Sequence, residues 1–391
     1  MSSITFTGDI GFDKYMDGKW RDEHFLADDV REFLLSADHL CVNVEGPLCT
    51  PKKKFSEEGA ERLLHSINPE AVVFLDDIKA DIWNICNNHI MDSGPEGLEE
   101  TLRMAASRDV LTVGAGMNIN EASGPVILNE AGGIGIIGVG YQRACRKADE
   151  STPGCFSWSD LELIREKISQ IKKKCRWCIV VAHAGEEFTS LPMTYTRRRY
   201  LDFLDMGADI IIGHHPHVPM NYEKVGDKMI FYSLGNFVFD TDYQRSQHNT
   251  QFGVFVRLDF TQKEYSYKPF GIRINREKGI IESCGLPAIF TDVNEEEYNR
   301  LLPLSAKAFL EATKRQLKYL YPDKFAAATE EDFMKDFMQV PRSGRVEGET
   351  LDFHLILPIA ESLDMKVVEE SKLQGVVEYI MGQMVTIHSP A

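Results

Sequence analysis

"GADIIIGHHPHVP" (207–219) sets a run of three isoleucines against three histidines that fall within four positions. The isoleucine run is short, β-branched and flanked by small residues, which predicts a buried strand. The histidines stand where that strand stops. Either they form a polar turn, or the strand aims imidazoles at a metal. The rest of the chain decides between these readings.

Seven further runs resemble the first. They are "ITFTGD" (4–9), "HLCVNVEGPL" (39–48), "ADIWNICNNH" (80–89), "GIGIIGVG" (133–140), "CRWCIVVAHAG" (175–185), "KMIFYSLGN" (228–236) and "FGVFVRLDF" (252–260). Strands this apolar suit burial on both faces. Helical signals lie between them at 95–108, 159–174 and 195–206. The second of these helices has a Ser at its start, early acids and a basic last turn. Alternation on this scale predicts a layered α/β domain over 1–260. Residues 261–391 read as a mostly helical extension packed on that core. Within it, polar β structure is expected at 262–290, helices at 295–318, 329–338 and 368–383, and a loop at 340–350.

The chain has 391 residues, 43% of them hydrophobic, enough for a large core. A formal net charge of −17 argues against nonspecific binding to nucleic acid or anionic membrane. It leaves room for an anionic small molecule or acidic polymer, because a metal or an arginine can reverse the field locally. No apolar run is long enough to cross a bilayer, and the first residues lack the pattern of a signal peptide. The expectation is therefore a soluble, cytoplasmic protein. Of the eight cysteines, Cys175 and Cys178 form a lone CxxC, read as ordinary reduced thiols.

The polar residues at the end of each apolar run matter most. Asp9 ends the first, and Asp13 lies just beyond. Asn43 and Glu45 end the second. Asn87, Asn88, His89 and Asp92 come after the third. His183, Glu186 and Glu187 come after the run at 177–182, and Asn236 and Asp240 after that at 228–234. In layered α/β folds, sites form at the carboxyl ends of strands. Carboxylates, amides and imidazoles gathered there suit Zn, Mn or Fe. If extended backbone persists past Gly213, His215 and His217 point one way and His214 the other. His215 and His217 are then expected in the site, with His214 packed elsewhere.

Taken in order, "FTGDIGFD", "NVEGPL", "NNHIMDSGPEGL", "AHAGEEF", "GADIIIGHHPHVP" and "YSLGNFVFD" resemble the bacterial capsule-synthesis CapA-type family of poly-γ-glutamate biosynthesis proteins. That family is built on the calcineurin-like metallophosphoesterase fold. The resemblance spans residues 4 to about 240. It implies a four-layer αββα sandwich around two divalent metal ions. It puts Asp9, Glu45, Asn88, His183, His215 and His217 at metal-ligand positions, with Glu45 bridging. His89 falls where phosphoesterases protonate the leaving group, with Asp92 or Glu187 to orient it. Two departures stand out. Gly11 occupies the place of a histidine ligand, and Glu45 replaces a shorter bridging Asp. Within the capsule family, Ala184 also stands where a Trp is usual.

"TYTRRRY" (194–200) offers Arg197 and Arg198 as anchors for a substrate carboxylate or phosphate, with Asn236 as a further substrate-binding residue. Three functions are compatible with these expectations. One is metal-dependent hydrolysis of a phosphoester or related anionic bond. The second is amide hydrolysis or transfer on a γ-linked glutamate polymer. The third is binding of an anionic ligand without turnover, which the missing histidine at position 11 favours.

Overall fold

The computed structural model describes residues 1–51, 63–141, 145–320 and 322–325. The helices expected at 329–338 and 368–383 and the loop at 340–350 lie outside them. Two large sheets carry the fold. In the first, the strands run in the order Ile280–Ser283, Tyr265–Asn275, Phe252–Phe260, Ser2–Gly11, His39–Val44, Ile82–Asn84 and Leu111–Val113; Asn236–Phe239 also pairs with Ser2–Gly11. In the second, the order is Tyr222–Val225, Lys228–Phe231, Ile210–His214, Trp177–His183, Ile134–Gly140 and Val126–Leu128.

Side-chain alternation explains why the strands are apolar throughout. Along Trp177–His183, Ile179 and Val181 enter the core between the sheets, with Ile4, Phe6, Ile82, Ile210 and Ile212. Cys178, Val180 and Ala182 face the other way, onto Ile164 and Ile168 of helix Leu161–Lys172 and Phe203 of helix Thr194–Asp205. The outer face of the first sheet is covered likewise by Val30 and Phe33 of helix Asp28–Leu35 and by Leu98 of helix Gly94–Ala106. Helix, sheet, sheet and helix thus form four layers. Both faces of each central strand are buried, which favours apolar side chains along it and leaves charged and imidazole groups near the strand ends.

The helix expected at 159–174 is Leu161–Lys172. Its N-cap is Asp160, which makes no side-chain capping bond, so Ser159 is not the cap. All eight cysteines are free thiols, Cys175 and Cys178 among the buried ones. Beyond residue 260, Phe252–Phe260 pairs antiparallel with Tyr265–Asn275, which pairs with Ile280–Ser283. Helix Glu295–Leu320 comes next, and Ser305 on it gives its hydroxyl to the Leu191 carbonyl at 2.8 Å. No helix among the described residues is long and apolar enough to cross a membrane.

Candidate metal centre

Parallel register brings the first groups together. Asp9 pairs across the sheet with Asn43, and Asn43 with Asn84. All three are fully buried. Asn84 Nδ2 donates to Asn43 Oδ1 at 2.7 Å, and Asn43 Nδ2 donates to Asp9 Oδ1 at 2.8 Å. This amide chain satisfies polar groups that burial would otherwise penalise. The strand Ile210–His214 pairs with Trp177–His183 so that His214 stands beside His183 at the same sheet end.

The expected orientation of His214 is overturned. Its Nδ1 lies 3.0 Å from Asp9 Oδ1, inside the cluster. The reason is parity: Ile210 and Ile212 face the core between the sheets, and His214 continues that face. His215 and His217 reach the same place differently. Their φ angles are 97° and 58°, so the chain leaves the extended conformation after His214 and turns them back. Non-glycine residues seldom hold such angles, and where they persist the surroundings impose them.

Asp9 Oδ2 lies 3.4 Å from His217 Nδ1 and from the backbone nitrogen of His215. Burial alone would raise the Asp9 carboxyl. His214 and His217 overcome it and hold the group well below the usual carboxylate range. Glu45, fully buried, has the opposite fate. Burial, then the charge of Asp9, pushes it well above its ordinary value. Neither Glu45 oxygen has a hydrogen-bond partner among the described residues. Oε1 is ringed by His217 Nε2 at 3.5 Å, His183 Nε2 at 3.7 Å and His89 Nε2 at 4.0 Å. Those gaps exceed a hydrogen bond. Burial opposes charging of His217, but Glu45 and Asp9 push it up to about 10.

The remaining groups close the ring. His183 Nε2 is 2.7 Å from Asn88 Oδ1, and Asn88 Nδ2 is 2.9 Å from His89 Nε2. His89 Nδ1 is 2.7 Å from Asp92 Oδ2, which also accepts from the backbone of His65. Burial raises the Asp92 carboxyl well above its usual range. Asn236 is buried and holds His217 Nδ1 with its Oδ1 at 3.0 Å, while its amide is spent on Gln244 and the Thr250 carbonyl. Glu187 accepts from Tyr243 at 2.7 Å and Gln316 at 3.4 Å.

Among the described residues, two sets of ligand atoms could hold a metal ion: Glu45 with His215 and His217, and Asp9 with Glu45 and His183. Within each set the atoms lie within 4.8 Å of one another. Glu45 belongs to both. A buried carboxyl group without a hydrogen-bond partner among the described residues, faced by imidazole nitrogens just out of reach, is a donor set that suits a borderline divalent cation.

The two arginines lie in other networks. Arg197 is buried on Glu223, at 2.9 and 2.7 Å, and reaches Glu295 at 2.6 Å; Arg198 is exposed and pairs with Asp202 at 3.0 Å. Other members stand out less in the sequence. Asn43 is visible at its strand end but carries no ligand signature. His65 binds Asp13 through Nδ1, and its ring meets that of His89 edge-on at 4.1 Å; no apolar run in the sequence precedes it to mark it. Phe239 explains Gly11. A Cβ at position 11 would lie 2.4 Å from the Phe239 ring, which stands 4.8 Å from the ring of His217.

Fold and site define a layered α/β protein with an αββα sandwich and a buried carboxylate–imidazole centre at the strand ends. The chain belongs to the family described as "Bacterial capsule synthesis protein PGA_cap", whose model matches residues 3–241. It is 33% identical over 252 residues to the PGA biosynthesis protein CapA of Bacillus subtilis (strain 168), covering 63% of this chain and 65% of the relative. It is 30% identical over 225 residues to the capsule biosynthesis protein CapA of Bacillus anthracis, covering 56% and 54%. The matched segment thus spans less than two thirds of either relative. Among solved structures, a 5'-nucleotidase from Candida albicans SC5314 is similar with a TM-score of 0.40 and 10% identity, covering 82% of this chain and 58% of that one.

Proposed function

We propose that the centre binds divalent cations and hydrolyses an ester or related bond of an anionic substrate, phosphoesters being the leading class. The observation that carries this is Glu45, buried, without a hydrogen-bond partner among the described residues, and shared by both candidate ligand sets. Asp9, Glu45, Asn88, His183, His215 and His217 would hold the ions, with Mn, Zn and Fe all compatible with such donors. Divalent ions there supply Lewis acidity, lowering the pKa of water toward neutrality and offsetting substrate charge.

The chain's own residues do the rest. Asn43 fixes the Asp9 carboxylate, and Asn236 fixes the ring of His217. Asp92 orients His89, whose Nε2 faces Glu45 and is placed to give or take a proton at the leaving group. Glu187 adds negative field behind His217.

A second reading comes from the relatives, two of which are named for PGA or capsule biosynthesis. On it, the same centre acts on an amide of a γ-linked glutamate polymer. One set of measurements separates the readings. Protein purified without a histidine tag is assayed for metal content, then for turnover of phosphoesters and of γ-linked glutamate oligomers, with and without Mn²⁺. Metal-dependent phosphoester turnover supports the first reading; glutamate release with inert phosphoesters supports the second. Absence of metal binding and of any turnover would overturn both and leave a ligand-binding protein.

A further inference from the structure

Phe188, whose ring stacks on His217 at 6.0 Å, also lines a cavity of about 780 Å³. Its apolar wall includes Val218, Phe252, Ile289 and Ala308. That volume suits a ligand of drug size, and such sites pair apolar walls with a few placed polar groups. Here the placed group is Arg315, on the helix Glu295–Leu320.

Arg315 is half-buried. Its Nε donates to Gln247 Oε1 at 2.9 Å, and no carboxylate pairs with it among the described residues. Glu311, which also lines the cavity, is paired with Lys314 at 2.9 Å. Burial draws the Arg315 guanidinium below its ordinary pKa, although the nearby charge of Glu311 acts the other way. Arg197, Arg245 and Arg276 are also withdrawn from water, yet each holds a carboxylate. Arg315 differs in that its Nη groups have no hydrogen-bond partner among the described residues and lie beside an apolar space.

We propose that this cavity binds an organic anion with an apolar body. Its carboxylate, sulfonate or phosphate head sits on the Nη groups of Arg315, and its body lies against Phe188, Val218, Phe252, Ile289 and Ala308. A charge-assisted, two-pronged contact of this kind is what a guanidinium fork makes best. The inference stands on the cavity and needs no metal at the centre.

The test uses the full chain and two fluorescent probes of similar apolar body, anionic anilinonaphthalene sulfonate and neutral phenylnaphthylamine. The sulfonate is expected to bind saturably, one per chain. Arg315→Met should weaken it about tenfold and leave the neutral probe unchanged. Ala308→Trp, which fills the cavity, should abolish binding of both. Decanoate should displace the sulfonate at far lower concentration than decanol does, a measurement that needs no variant. Non-saturable sulfonate binding, equal affinity in Arg315→Met, or equal displacement by decanol would each overturn the proposal.

Discussion

Asn43 stands in register between Asp9 and Asn84 and passes a hydrogen bond along, accepting from one amide and donating to one carboxylate. Replacing it by Leu strips a partner from Asp9 and from Asn84 at once. Leaving buried polar groups unpaired costs about 1–3 kcal/mol each. Asn43→Leu should therefore unfold at clearly lower urea concentration than the parent. An unchanged midpoint would show that the chain of amides contributes nothing.

His214 holds Asp9 as a supporting imidazole. Losing such a support typically weakens metal binding about 10–100-fold. His214→Ala should lower Mn²⁺ affinity, measured by equilibrium dialysis, without abolishing it. His215→Ala, which removes a candidate ligand, should lower it further. Wild-type affinity in His214→Ala would separate Asp9 from the binding set.

Gly11 cannot be turned back into a histidine alone, because the Phe239 ring occupies the space. Gly11→His should destabilise the fold, with overpacking costing about 1–3 kcal/mol, and gain no metal affinity. Pairing it with Phe239→Ala should recover stability. The check is thermal unfolding of both variants with a metal titration; a stable single variant with tighter binding would refute the steric account.

Arg197 is bound to Glu223 and Glu295. Arg197→Met would strand Glu223, which is 5% exposed, and breaking a buried pair costs about 3–5 kcal/mol. A large loss of stability is expected. Intact stability together with weakened binding of anions would instead make Arg197 a substrate anchor.

His39 is a pH-sensitive group away from the centre. Its hydrogen bond to Asp81, at 2.6 Å, raises it above 6.5. A histidine raised in the folded state stabilises fully below its unfolded value, and that contribution fades as pH climbs through the folded value. The urea-midpoint difference between parent and His39→Gln should thus be larger near pH 6 than near pH 9. A pH-independent difference would refute the linkage.

Much of the site is legible in the chain because buried strands seldom carry charged, amide or imidazole side chains along their length. Asp9, Glu45, Asn88, His183, His215 and His217 each come after an apolar run, so the points where the strands stop are visible. The face that His214 takes is not legible. Both faces of its strand are apolar, so the pattern does not say which lies between the sheets. His65 is hidden because no apolar run in the sequence comes before it. Gly11 reads as a missing ligand, whereas Phe239, more than two hundred positions away, fills that space. Arg197 looks free because Glu223 and Glu295 reach it only through the fold.

His215 and His217 hold left-handed backbone on either side of Pro216. The conformational cost of aiming them is met when the chain folds, before any cation arrives. On the proposed reading the loop would act as a gauge, fixing the separation of its imidazoles instead of adapting to the ion. Relaxing that strain would trade fidelity for stability: a sturdier protein that discriminates less among cations of different radius.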